Sequence, residues 1–406
     1  MADKFKPESN AQVLDVVSWG LANNKPLEIQ GAGSKRGIGH PSRSDIILSL
    51  SGLTGISLYE PEELVLTAAA GTSLAEIEAV LAEKNQELAF EPADFGPLLG
   101  QAEAMATIGG IMAANISGPR RLKAGAARDH FLGLKAISGR AEEFKSGGRV
   151  VKNVTGYDLC KGLAGSWGTL AVMTEVTLKV LPAAEQVTTI IVAGLTDVQA
   201  ISAMSMAMNC SCEVSGAAHV PANLTDKSSL KEVAKSGASA TLLRLEGIGP
   251  SVEYRAKQLE TLLSPLGTIS KVTGANQVWR DVRDVGYFTG DQEKAVWRLS
   301  VPPAQGAVAI SAIASEIPGA EYYFDWAGGL IWAAVPQLNN ASQTIVRKCL
   351  EACGGHATLF RAAGSGRTTA DIFQPLEPGL MALTKNLKNN FDPSGILNPG
   401  RMYRNL

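Results

Sequence analysis

The residues able to do chemistry are few, and their spacing narrows what that chemistry can be. Five cysteines fall at C-x-C (Cys210, Cys212) and C-x3-C (Cys349, Cys353) spacings, with Cys160 apart. Neither the paired C-x2-C of zinc sites nor the closely spaced run of an iron–sulfur cluster is present, so neither metal nor cluster is expected on this chain. Cys349 and Cys353 read instead as two small apolar residues sharing a helix face. The four histidines, His40, His130, His219 and His356, are scattered, and His356 follows the turn pair Gly354–Gly355. What is concentrated is glycine. Three glycine-rich loops, GAGSKRGIGHP (Gly31–Pro41), TIGGIMAANISG (Thr107–Gly118) and the stretch from Gly147 to Pro182, present open backbone N–H groups of the kind that approach something flat or anionic.

The elements around these loops decide what the glycines cannot be. Helical apolar spacing runs from Ala11 to Leu21 with Asn10 as the expected N-cap, followed by a short strand at Leu27–Ile29. Strand-like runs at 46–50, 55–58 and 64–69 precede a helix at 73–84, where Ser73 and Glu76 form a capping box. A dinucleotide fold of the classical kind needs a helix opening at the second glycine of G-x-G. Here Gly37, Gly39 and Pro41 follow at once, so no helix can start. Gly31–Pro41 is then either a plain surface loop or one whose N–H groups, with the Ser34 hydroxyl, close around a pyrophosphate. Gly109–Gly110 opens a short helix and suits close contact with a phosphate or sugar. Arg128–Asp129 reads as a local ion pair.

The totals set outer limits. A chain of 406 residues implies two or three domains, and 45% hydrophobic with 19% charged residues is a globular balance. A net charge of −2 with mixed signs gives no phosphate-backbone footprint, so nucleic acid is not an expected partner. No uninterrupted apolar run approaches a membrane span, and the first ten residues carry no apolar signal core. A cytoplasmic location is expected, with membrane contact only peripheral, at the inner face and through partners.

Taken in order, the three loops resemble the FAD-binding domain of the vanillyl-alcohol oxidase/p-cresol methylhydroxylase (PCMH) superfamily. The resemblance covers roughly residues 25 to 182. It is carried by Gly31–Pro41, Phe90-Glu91-Pro92 with Phe95-Gly96-Pro97, and Thr107–Gly110 through Asn115-Ile116-Ser117-Gly118-Pro119-Arg120-Arg121. Gly125 with Arg128-Asp129, Lys152-Asn153 through Gly156-Tyr157-Asp158-Leu159, and Gly165-Ser166-x-Gly168-Thr169-Leu170 complete it. Within the superfamily the Ser-Gly-Pro-Arg-Arg and Lys-Asn-Val-x-Gly-Tyr-Asp-Leu runs are similar to those of FAD-binding subunits of bacterial glycolate oxidases.

The resemblance implies an α+β fold. A PCMH-type FAD-binding domain of two α+β subdomains would occupy residues 1–182 and an α+β ferredoxin-like cap 183–390, with 391–406 returning to the FAD domain. It also implies a cofactor site. Gly31, Ala32, Gly33, Ser34 and Lys35 would hold the pyrophosphate, with Gly39, His40, Pro41 and Pro92 nearby. Thr107, Gly109, Gly110, Asn115, Ser117 and Gly118 would line the cofactor between pyrophosphate and flavin. Gly125 and Asp129 belong to the same motif set. Gly168, Leu170 and Val172 would supply backbone contacts, and Asn398 would come from the C-terminal return. Some relatives tether FAD through a histidine in the first loop; His40 lacks the arginine–Ser/Gly–Gly–His setting, so FAD is expected to be non-covalent.

The second half reads as alternating strands and helices with antiparallel strand pairs. It lacks the His-x-Gly-Asp-Gly motif of the best-known 2-hydroxy-acid dehydrogenases of the superfamily. Removing a hydride from a 2-hydroxy acid needs a base for the hydroxyl proton and a cation for the carboxylate. His356 and Arg361 are the candidates, with Trp326 as a flavin-facing aromatic. Three readings follow. The chain is the FAD-binding subunit of a glycolate oxidase complex, with a sister FAD subunit and an iron–sulfur subunit as partners; or it is a free-standing 2-hydroxy-acid or alcohol dehydrogenase; or it is a structural subunit with a stabilising, non-catalytic FAD.

Overall fold

The computed structural model describes residues 3–149, 156–336, 342–362 and 366–406. Lys152, Asn153 and Thr155 of the third glycine-rich stretch lie outside the described residues. The chain forms two compact units. The first holds residues 1–117, 126–183 and 375–406; the second holds 118–125 and 184–374. Both mix helices with sheets, so the α+β class holds. Compared with the boundaries read from sequence, eight residues, Gly118–Gly125, sit with the second unit, and the returning segment starts at Pro375.

Two sheets build most of the first unit. β1 (Asp3–Phe5), β2 (Glu28–Gln30) and β3 (Ile46–Ser49) form a parallel sheet in the order β1-β3-β2. The helix Asn10–Ala22 buries Val13, Val17 and Gly20 on one face. A Cβ on Gly20 would stand 3.2 Å from Leu27, so the small residue lets helix and strand approach. Its N-cap is Ser9, whose hydroxyl accepts from the Gln12 N–H, rather than the expected Asn10. Asn10 is already helical, and its side chain donates to Glu143.

The second sheet, order β4-β5-β9-β7-β8, is antiparallel: β4 (Ile56–Glu60), β5 (Val65–Ala69), β7 (Phe131–Ser138), β8 (Glu143–Gly147) and β9 (Ala171–Lys179), with β6 (Gln86–Glu87) pairing separately with β10 (Leu181–Pro182). β9 lies at its centre and is buried on both faces for most of its length, which explains an unbroken apolar run rather than alternation. Ser73 caps the helix Leu74–Ala82 by accepting from the Glu76 N–H. The C-terminal segment closes this unit: Leu397 bridges Leu27, and buried Lys388 donates to Asp392 (2.6 Å), Thr169 O (2.7 Å) and Leu397 O (2.8 Å).

The second unit is one eight-stranded antiparallel sheet with a repeated plan. β11 (Gln186–Ala193), β12 (Gly216–Val220), β13 (Ala240–Gly247) and β14 (Thr268–Thr273) alternate with helices Asp197–Asn209 and Gly249–Leu263 in the order β-α-β-β-α-β. β15 (Ala295–Ser300), β16 (Glu321–Asp325), β17 (Leu330–Val335) and β18 (His356–Arg361), with helices Gly306–Glu316 and Gln343–Glu351, repeat it. The strand order β14-β11-β13-β12-β16-β17-β15-β18 is two ferredoxin-like halves joined edge to edge at His219 and Phe324. One apolar layer spans both halves, with Ile190, Leu243 and Leu259 from the first and Trp297, Ile310 and Ile331 from the second.

Candidate cofactor cleft and second-unit side chains

The glycine loops converge in the first unit. The end of β2, the loop 28–36, the start of the helix Ile108–Ala114 and the segment around Gly168 enclose a cleft of about 710 Å³, open mouth included. Of the residues expected to hold a cofactor, Gly31, Ala32, Gly33, Ser34, Lys35, Thr107, Gly109, Gly110 and Gly168 line it. Residues that sequence reasoning missed line it too: Gln30, Ala70, Ala113, Trp167, Met173 and Arg401 among them. Nothing in their local pattern marks them, since Ala70 and Met173 are strand or strand-end residues and Arg401 enters from the far end of the chain.

The packing explains why this wall needs glycine. A Cβ on Gly31 would collide with the Thr107 hydroxyl, so the first two loops touch at that point. Gly109 and Gly110 differ. A Cβ on Gly109 would stand 2.6 Å from Ala70 Cβ and 2.8 Å from Ala70 O, so this glycine serves helix–strand packing. A Cβ on Gly110 would meet only Thr107 Oγ1 at 3.3 Å and Lys35 Nζ at 3.7 Å, on the cleft side. Gly168 has φ +71°, and a Cβ there would stand 2.8 Å from Asn398 Nδ2.

Lys35 is the buried charge of the cleft. Its Nζ lies 3.4 Å from Ser34 Oγ. Burial pulls its pKa down to about 8; Asp94 opposes that and Arg401 adds to it. Arg401 donates to Lys35 O at 2.9 Å, and its guanidinium lies 5.8 Å from the Trp167 ring centroid. Arg36 forks onto Glu28 at 2.6 and 2.8 Å, which neutralises the one buried carboxylate on this wall. Two cations, open N–H groups and an apolar side of Leu50, Ala70, Ala113, Ala171 and Met173 match an anionic diphosphate joined to a flat ring system.

The other expected residues stand one step back from the cleft. Asn398 Oδ1 accepts from the Ile29 N–H at 2.8 Å, and its Nδ2 donates to Trp167 O at 2.8 Å, tying β2 to the Gly168 loop. Buried His40 bonds through its backbone N–H to Arg401 O at 2.9 Å; neither it, Gly39, Pro41 nor Pro92 lines the cleft. Leu170 and Val172 are buried while their neighbour Ala171 lines it. Asn115 Oδ1 accepts from the Arg128 N–H (3.0 Å), Ser117 Oγ from the Ala127 N–H (2.8 Å), and Asp129 from the Ala126 N–H (2.9 Å). These bonds fix the points where the chain leaves and rejoins the first unit. Arg128 and Asp129 pair at 3.7 Å, as the sequence suggested.

Gly118 and Gly125 belong to the second unit, as do the candidates from the second half. Arg361 is buried, and its guanidinium donates to the carbonyls of Lys294 (3.1 Å), Phe288 (2.8 Å) and Asp291, so it braces backbone. Trp326, also buried, donates its Nε1–H to Gly118 O at 3.1 Å. Arg121 lies 4.3 Å and Arg298 5.0 Å from its ring centroid. His356 opens β18 with much of its surface exposed. Desolvation of the ring, then the charges of Arg298 and Arg121, hold its pKa below the ordinary histidine value.

This fold is shared with solved structures. A family model described as an FAD binding domain matches residues 4–146. p-Cresol methylhydroxylase superposes with a TM-score of 0.72 at 15% identity, over 99% of this chain and 88% of that one. The chain thus has the PCMH-type fold and carries an FAD binding domain. Glycolate oxidase subunit GlcE of Escherichia coli is 33% identical over 97% of both chains, and the D-lactate dehydrogenase of Archaeoglobus fulgidus is 25% identical over 99% of this chain and 91% of its own. The chain belongs to the GlcE family of FAD-linked oxidoreductases.

Proposed function

We propose that this chain is the FAD-binding subunit of a complex that oxidises glycolate or a similar 2-hydroxy acid to the 2-oxo acid. The observation that carries the reading is the likeness to GlcE along the full length of both chains, in a protein whose glycine loops form one cleft. When bound, FAD would accept the hydride from the carbon bearing the hydroxyl. Lys35 and Arg401 would hold the diphosphate, with the N–H groups of the Gly31–Lys35 loop. Asn398 would keep the Gly168 loop against β2. FAD would be non-covalent, since His40 is buried and does not line the cleft. His356, kept neutral at physiological pH by its surroundings, is the candidate acceptor for the substrate hydroxyl proton.

A sister FAD subunit and an iron–sulfur subunit would complete the complex. The designation of GlcE as a subunit supports membership of a complex. Among the described residues, no helix is long and apolar enough to cross a membrane, so any membrane contact would be peripheral and made through partners. A free-standing dehydrogenase is the second reading, favoured by the full-length likeness to a D-lactate dehydrogenase. The purified chain should be yellow, and its flavin should be extractable with acid. Anaerobic addition of glycolate or D-lactate should bleach the flavin only after partner subunits are added. Bleaching of the isolated chain would favour the second reading, and a colourless preparation would leave a structural role.

A further inference from the structure

Gln30 brings into the cofactor cleft an acceptor that the protein itself leaves unserved. It ends β2 and lines the cleft of the first unit. Its Oε1 is buried, and among the described residues that atom has no hydrogen-bond partner. The polar groups around it are engaged elsewhere. Glu28, on the same face of β2, is held by the fork from Arg36. Ser49, the register partner of Gln30 on β3, donates to Gly31 O at 3.2 Å and lies 3.0 Å from Ser51 Oγ. Asn398 is occupied by the Ile29 N–H and the Trp167 carbonyl. The loop also keeps room for the amide: Oε1 lies 3.3 Å from where a Cβ on Gly33 would stand, and Gly33, at φ +89°, has none.

A buried acceptor without a donor costs the flavin-free protein stability, and a ligand that supplies the donor removes that cost. FAD offers two kinds of group to such a wall. Its diphosphate only accepts, and Lys35, Arg401 and the N–H groups of the Gly31–Lys35 loop suit it. Its donors are the adenine amino group, the sugar and ribityl hydroxyls, and one ring N–H of the flavin. A carbonyl oxygen set against the diphosphate would meet only other acceptors, so Gln30 is matched to the second kind. We propose that Gln30 Oε1 accepts a hydrogen bond from an N–H or O–H of FAD. The residue then reads the adenosine or the flavin portion of the cofactor instead of adding to the phosphate clamp. The inference rests on FAD lying in this cleft, as proposed above.

The test is fluorescence titration of the flavin-free protein with FAD, together with its thermal melt. Gln30→Met keeps the length of the side chain and removes the acceptor. It should weaken the FAD dissociation constant about tenfold. The flavin-free variant should melt at the wild-type temperature or above, because the unserved acceptor has gone. Affinity and stability moving apart in this way separates recognition of the ligand from support of the fold. FAD affinity equal to wild type, or a flavin-free variant that melts lower, would overturn the proposal. ADP and FMN, used as competitors, divide the donors of FAD between them. A loss confined to ADP assigns the partner to the adenosine, and a loss confined to FMN assigns it to the ribityl–flavin part. Equal losses would point to the phosphate that both carry and would overturn the acceptor role. Gly110→Leu tests the cleft itself, since its side chain would enter on the side of Thr107 and Lys35. If Gly110→Leu abolishes FAD binding and Gln30→Met leaves it unchanged, the cleft stands and Gln30 falls. If Gly110→Leu binds FAD as wild type does, the cofactor lies elsewhere and the cleft reading falls with it.

Discussion

Each half of the second unit places an arginine against a tryptophan, and the two pairs are treated differently by their surroundings. In the first half, Arg244 lies 4.6 Å from the Trp279 centroid, hydrogen-bonds Ser215 Oγ at 3.2 Å and approaches Glu246 at 3.5 Å. Glu246 is shared with Arg120, so the charge is matched where it is buried. In the second half, Arg298 lies 5.0 Å from the Trp326 centroid, and the Asp325 carboxylate acts on it through its charge rather than in an ion pair. Arg120 and Arg121 are adjacent in sequence, yet one forks onto Glu246 and the other lies over the Trp326 ring. Identical residue types are therefore held differently: one arginine is tied to a buried carboxylate whose removal would leave it uncompensated, and the other is held against an indole.

Breaking the matched cluster should have the largest effect. Glu246→Gln leaves Arg244 and Arg120 without their carboxylate and should cost about 3–5 kcal/mol in urea unfolding. The same residue gives a pH signature. Burial alone would raise its pKa, but Arg244 and Arg120 outweigh burial and hold it below the ordinary carboxylate value. Its stabilisation is then present above the unfolded value of about 4.3 and is lost as pH falls through the lower folded value, a loss the Gln variant should not show. Arg244→Met should cost less, about 2 kcal/mol, since Glu246 keeps Arg120.

Lys35 extends the comparison to the first unit, as a buried cation with no ion pair among the described residues. Its pKa of about 8 lies below the ordinary lysine value, so the flavin-free protein releases that proton in mild alkali. An anionic cofactor requires it back. FAD affinity should fall about tenfold per pH unit above 8, and Lys35→Met should flatten that slope, as fluorescence titration of the apoprotein would report. The smallest effect belongs to Arg298. Arg298→Met should change unfolding free energy by no more than about 0.5 kcal/mol, and a loss as large as that of Glu246→Gln would erase the distinction between the two clusters.

The glycine loops were legible because a missing side chain is visible in sequence wherever backbones must approach, as at Gly31 against Thr107 and Gly168 against Asn398. Their reasons were less legible: Gly109 faces Ala70, and only the packed structure separates it from Gly110. β14 escaped notice because, as an edge strand, it is mostly exposed and shows no apolar alternation. The helix Pro378–Phe391 escaped for the inverse reason, since its buried residue is Lys388 while Leu380, Leu383 and Leu387 are exposed. Arg298 has no motif at all. Arg361, the more obvious cation, is engaged with three carbonyls.

The C-terminal segment that ties Asn398 and Arg401 to the first unit also sets an order of events during synthesis. β2 and the Gly31–Lys35 loop leave the ribosome early, but the residues that brace and complete their cleft are made 366–369 positions later, after the whole second unit. A nascent chain cannot close its cofactor cleft until it is nearly finished. If flavin binds in this cleft, its capture would be a late step, and a chain broken off anywhere in the second unit would lack the residues that brace the site.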